Sequence, residues 1–122
     1  MNRDAHIARC SSNEQLFRAF LGIKSGHRDW TVTVLFYAAL HALDAFLHDA
    51  GYLDTDIANH HDRLAVARDV LPRNIFSAYN ALYIESRHAR YDRPPPQSTT
   101  PASLAKFASA WSHVLKPFLL GP

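Results

Sequence analysis

Four side chains able to do acid–base or ligand chemistry recur along one stretch of this sequence: Tyr37, His41, Asp44 and His48. Their spacing follows the helical repeat, so on a helix they form one narrow stripe. An imidazole near neutrality takes or gives a proton, and a carboxylate can orient it. His41, Asp44 and His48 together also suit zinc, manganese or iron. The stripe runs between two apolar faces: Val32, Phe36, Ala39, Leu40, Leu43 and Leu47 form the larger, and Val34, Ala38, Ala42 and Ala45 the smaller. That pattern puts the stripe at a seam between helices or subunits. A polar seam in which His41 and Tyr37 simply hydrogen-bond neighbouring helices is the plainer reading. Bundle metal sites draw ligands from several helices, so a set on one helix is incomplete by itself.

Two further groups carry chemistry. In Asn59-His60-His61-Asp62-Arg63 the adjacent histidines point about 100° apart on a helix, so they cannot act as a pair from one face. His60 can face a neighbouring helix, with Arg63 one turn later on the same side; a polar helix start at the surface is the plainer alternative. The segment Ser86-Arg87-His88-Ala89-Arg90-Tyr91 closes another predicted helix, on which Phe76, Tyr79, Tyr83, Arg87 and Arg90 share a side. Arg90 falls near the core face, where a guanidinium needs an anion. Asp44 is the expected partner, in an Arg90–Asp44 interhelical ion pair. Held otherwise, Arg90 is ready for a phosphodiester.

The elements that must position these residues are all helical. A first helix is expected over about residues 13–23, capped by Ser11 or Ser12, burying Leu16, Phe17, Phe20 and Leu21 and ending at Ser25-Gly26. Residues 1–11 are then a flexible N-terminal segment. The second helix spans residues 29–50 and stops at Gly51, placed for a C′ glycine. Asn59, with Asp62 three residues on, caps a third helix carrying Leu64, Ala67, Val70 and Leu71 up to Pro72. The fourth covers residues 73–91, with Ile75, Ala78, Tyr79, Leu82, Ser86 and Ala89 inward. Residues 92–100 form a proline-rich loop. Thr100-Pro101 opens a fifth helix that buries Leu104, Phe107, Ala108, Trp111, Leu115 and Phe118, with Pro117 kinking or ending it. The expected fold is all-α: a five-helix up-and-down antiparallel bundle in a single domain, 1–122.

Bulk properties remove several function classes. Hydrophobic content of 48% with 20% charged residues is that of an ordinary globular domain rather than a disordered chain. The single cysteine, Cys10, cannot form an intramolecular disulfide, and its place before the first expected helix with only His6 nearby is a poor basis for a thiol enzyme. No basic start leads into an apolar leader, and Thr, His and Asp interrupt the longest apolar run. A cytoplasmic protein without membrane association is expected. There is no glycine-rich phosphate loop or nucleophile elbow, and no cofactor is expected.

The order of three motifs resembles small HEPN-domain proteins: Phe36-Tyr-Ala-Ala-Leu-His41, then Asn59-His-x-x-Arg63, then Tyr79-x-x-Leu82 leading into Ser86-Arg87-x-Ala89-Arg90-Tyr91. The likeness spans about residues 29–91. The resemblance implies a helical bundle that commonly forms a homodimer, and an RNA-binding or metal-independent RNA-cleaving role in toxin–antitoxin or defence systems, with an antitoxin or operon-encoded protein as partner. The usual HEPN ribonuclease motif, arginine followed after four to six residues by histidine, is absent. Either the activity is lost, leaving a binding or scaffolding domain, or an arginine and a histidine converge from different helices. Arg90 would stabilise phosphate charge, His41 would move the proton, and Asp44 would orient His41 or balance Arg90. Arg87, Tyr91, Tyr83, His60 and Arg63 would contact RNA. Two alternatives remain: a non-catalytic dimerisation or adaptor domain using Ala38, Ala42 and Ala45 for close helix packing, and a metal-dependent bundle enzyme centred on His41, Asp44 and His48.

Overall fold

Helix α2 (Arg28–Asp49) organises the molecule because it is apolar nearly all round. Both of its apolar faces are buried, and Val32, Leu35, Phe36, Ala38, Ala39, Ala42, Leu43 and Leu47 are fully enclosed. A helix without a polar face belongs in the middle of a bundle. By length and composition α2 would also suffice to cross a membrane, but 78% of its most apolar window is buried within the protein. The structure is a computed structural model that describes residues 2–21, 28–92 and 100–121. Those residues form an all-α bundle of five helices and contain no strand.

Helix α1 (Arg3–Leu21) makes the most extensive contact with α2. It corrects the expectation of a flexible N-terminal segment. Asn2 Oδ1 accepts from the Ala5 N–H at 2.8 Å and caps the helix, while Ser11 and Ser12 are exposed in mid-helix. The buried side of α1 runs through His6, Cys10 and Phe17. Two of these are not aliphatic, so no hydrophobic period announces the first three turns. Leu16 is exposed, and the Phe20 and Leu21 side chains lie outside the described residues, as does the Ser25-Gly26 break.

Helix α2 ends as expected at Gly51, whose φ of +96° suits a residue without a side chain. The Tyr52 N–H donates to the Leu47 carbonyl and the Gly51 N–H to that of His48, a Schellman closure. A 3₁₀ turn (Asp54–Ile57) follows, then α3 (His60–Val70), capped by Asn59 Oδ1 accepting from the Asp62 N–H at 2.9 Å. Helix α4 (Arg73–Arg87) buries Ile75, Tyr79, Leu82 and Ser86 as the period required, and continues into a π turn over His88–Asp92. Residues 93–99, most of the expected proline-rich loop, lie outside the described residues.

Thr100 caps α5 (Pro101–Ala110). A π turn (Trp111–Leu115) then joins it to α6 (Lys116–Leu120). Proline removes a helical N–H and crowds the carbonyl four residues earlier. The wider π turn directly before Pro117 lets the rod continue past it. The extra residue also shifts the inward register. Leu119 is buried, and Phe118, expected inside, is exposed. Glu14 of α1 ties this last rod down: Trp111 Nε1 donates to Glu14 Oε2 at 2.7 Å and Lys116 Nζ to Oε1 at 2.9 Å.

Candidate functional site

The buried cation beside Asp44 is Arg63, not Arg90. Arg63 Nε donates to Asp44 Oδ1 at 2.6 Å and Nη2 to Oδ2 at 3.0 Å, a two-pronged pair between α3 and α2. Nη2 also donates to the Ile57 carbonyl at 3.1 Å, holding the 3₁₀ turn. Arg63 therefore lies inside the protein rather than on a polar surface. The start of α3 makes this possible. The Asn59 cap aims the first turn of α3 across α2, so His60 and Arg63, one turn apart, both face inward.

Arg90 has another environment. The π turn places its guanidinium over the rings of Tyr37 and Phe36, 5.5 and 5.8 Å from their centroids, and Nη1 donates to Tyr37 Oη at 2.8 Å. π turns recur at functional positions because the extra residue re-aims a side chain. Arg90 lines a cleft of about 350 Å³ together with Asp29, Trp30, Thr33 and Ala89. Trp30, in the first turn of α2, is 66% exposed. The sequence reading passed over Trp30. Its signal was a large aromatic just before the apolar stripe, outside either buried face.

The imidazole that shares Phe36 with Arg90 is that of His60. It packs against Phe36 at 5.7 Å and Tyr83 at 5.4 Å between ring centroids, and its Nδ1 is 3.4 Å from Arg63 Nη1. Burial, then the guanidinium charges of Arg63 and Arg90, hold its pKa below the ordinary 6.5; Asp44 opposes them and Arg87 adds to them. Arg87 Nη1 donates to Tyr83 Oη at 3.3 Å on the exposed side. Tyr91's side chain lies outside the described residues.

His41 belongs to a second cluster. Its Nδ1 is 2.9 Å from His6 Nδ1, and the two rings stack obliquely with centroids 5.2 Å apart. Burial and the neighbouring His6 hold the His41 pKa below its ordinary value. His48 lies on the other side of His6, also 5.2 Å away between centroids. The expected set His41, Asp44 and Arg90 is therefore divided: His41 pairs with His6, Asp44 with Arg63, and Arg90 with Tyr37. The same division breaks the metal set of His41, Asp44 and His48, because Arg63 occupies both carboxylate oxygens of Asp44.

Ala38, Ala42 and Ala45, expected as a surface for close packing between subunits, are buried within the bundle. Cys10 lies inside α1, with burial and Glu14 pushing its thiol up to about 11. It is an inert core residue. Comparison of the chain with family models, with curated proteins and with solved structures finds no match.

Proposed function

We propose that this chain is a HEPN-like RNA-binding and metal-independent RNA-cleaving effector of the toxin–antitoxin or defence type, with His60 and Arg90 at its centre. One observation carries the reading. A half-buried imidazole and a semi-buried guanidinium pack on the same phenylalanine, Phe36, and the guanidinium lines a cleft that bears an exposed tryptophan. Arg90, with Arg87 at the outer edge, would hold a phosphate and stabilise charge as it develops there. Trp30 offers a stacking platform for a base, the usual anchor for single-stranded nucleic acid. Asp29 repels a phosphate set directly against it and accepts instead from an exocyclic amino group. The base is therefore assigned to the Trp30 end and the phosphate to the Arg90 end.

In this arrangement His60 takes the proton of a ribose 2′-hydroxyl. The 2′-oxygen attacks the adjacent phosphorus, and the phosphorus–5′-oxygen bond breaks as the 5′-oxygen takes a proton from solvent water, the proton on His60 returning to solvent. The products are a 2′,3′-cyclic phosphate and a 5′-hydroxyl end. His60 replaces His41 in this role because it packs on the same phenylalanine as Arg90, whereas His41 is paired with His6. The test is cleavage of a labelled single-stranded RNA in excess chelator. Cyclic-phosphate products are expected from the parent protein, and His60→Gln should lower the rate about 100-fold or more while leaving binding largely intact. Cleavage unchanged in His60→Gln, or an absence of both binding and cleavage, would overturn the proposal.

A further inference from the structure

Where α1, the last turns of α2 and the 3₁₀ turn meet, His6, His48 and Asp54 each offer a ligand atom, and the three atoms lie within 4.8 Å of one another. We propose that these residues form a binding site for a divalent transition metal of the zinc type, leaving one coordination position for water or another ligand. The site is separate from the Arg90 cleft and does not depend on the RNA reading.

Ligand type and spacing come first. Two imidazoles and a carboxylate suit zinc and its neighbours, and three protein ligands plus an open position is the pattern of a reactive rather than a closed structural site. With metal–ligand bonds of about 2.0–2.2 Å, tetrahedral ligand atoms stand about 3.3 Å apart. The present separations need a closure of at most about 1.5 Å to reach that spacing. Asp54 has room to adjust, because it sits on the 3₁₀ turn with its side chain 59% exposed.

A second observation points the same way. His48 Nε2 is 2.9 Å from Asp54 Oδ1, yet this buried nitrogen makes no hydrogen bond among the described residues. An ion placed between the two groups would bond to both, and their separation would open by a few tenths of an ångström, as expected for two bonds to one metal.

His41 completes the design from behind. Because Nδ1 of His6 faces Nδ1 of His41 at 2.9 Å, one of the two must carry a proton there. With that proton on His6, Nδ1–H donates to His41 and Nε2 keeps the lone pair that a metal requires. Ligand histidines are commonly fixed through their second nitrogen in this way. His41 is then a positioning residue, in place of the proton-transfer role expected from the sequence.

The experiment uses tag-free full-length protein, with Zn²⁺ titrated against a chromophoric chelator and Co²⁺ as the spectroscopic probe. One ion per chain at micromolar affinity or better is expected, with the visible bands of four-coordinate cobalt. His48→Ala should abolish binding. His41→Ala should weaken it about 10–100-fold at unchanged stoichiometry, as loss of an outer-shell partner does. Asp54→Asn is the decisive variant because it changes an exposed side chain and leaves the fold intact; at least tenfold weaker binding is expected. His113→Ala, an exposed histidine on the last rod, should change nothing. No binding at micromolar metal, or affinity unaltered in both His48→Ala and Asp54→Asn, would overturn the site and leave a plain His48–Asp54 ion pair.

Discussion

Removing the Arg63 guanidinium is the perturbation whose size the structure sets most directly. The Asp44 side chain is 3% exposed and that of Arg63 10%, so neither charge is screened by water. Arg63→Ala strands the carboxylate in the core and also removes the donor to the Ile57 carbonyl. Breaking a buried pair by deleting one partner costs about 3–5 kcal/mol, and the lost backbone contact adds about 1 kcal/mol. A domain of this kind has about 5–15 kcal/mol in all, so the loss is a large share of the total. At about 3–4 °C per kcal/mol for this chain length, the Tm should fall by about 10–20 °C. Urea and thermal unfolding followed by circular dichroism measure it. Replacing both partners, Arg63→Met with Asp44→Leu, should recover most of the loss, because a packed apolar pair tolerates burial better than an orphaned charge. A double-mutant cycle then gives the coupling. A cost below about 1 kcal/mol for Arg63→Ala, the level of an exposed pair, would refute the reasoning.

Other perturbations follow from the same geometry. His60 is held below its ordinary pKa of 6.5, so as pH falls below 6.5 the unfolded chain takes the proton first; stability should be full above that pH and decline beneath it, with a shallower decline in His60→Gln, as read by urea midpoints across pH. Burial raises the Glu14 pKa, but the bonds from Lys116 and Trp111 outweigh it and hold the group low, so its contribution is present above the ordinary 4.5 and is lost as pH falls through the lower folded value. Glu14→Ala should cost about 1–3 kcal/mol in urea unfolding, since it leaves the indole N–H of enclosed Trp111 without an acceptor. Gly51→Ala should cost about 1 kcal/mol by the same assay, from the positive φ alone, because an added Cβ there meets nothing within 4 Å.

The fold was legible in the sequence wherever helical period and capping chemistry agreed. Gly51, Asn59 and Thr100 end or begin helices as their side chains dictate, and the inward face of α4 follows the apolar spacing, whereas α3 buries Arg63 beside Ala67 and leaves Leu64 and Val70 half-buried. The start of α1 was hidden because His6 and Cys10 occupy core positions that aliphatic residues normally mark. The Phe118–Leu119 exchange was hidden because a π turn inserts one residue into the period. The site was half legible. The sequence marked out the stripe on α2, Arg63, His60 and Arg90 as residues with chemistry, but pairing between helices depends on which turns face each other. Spacing along one helix cannot say whether Asp44 meets α3 or α4. The entry angle of α3 decides it, and Arg63 arrives first. His6 and Asp54 escaped notice because one lay in an expected loose end and the other in a connecting turn.

The account rests on the Arg90 cleft receiving single-stranded RNA, and fluorescence anisotropy with a labelled oligonucleotide at several salt concentrations tests that most directly. The parent protein should bind with clear salt dependence. Arg90→Ala should weaken binding about tenfold or more and lower the salt slope by about one, and Trp30→Ala should weaken it by about 1–3 kcal/mol of lost stacking. Affinity indifferent to salt, or equal in the parent, Arg90→Ala and Trp30→Ala proteins, would contradict it.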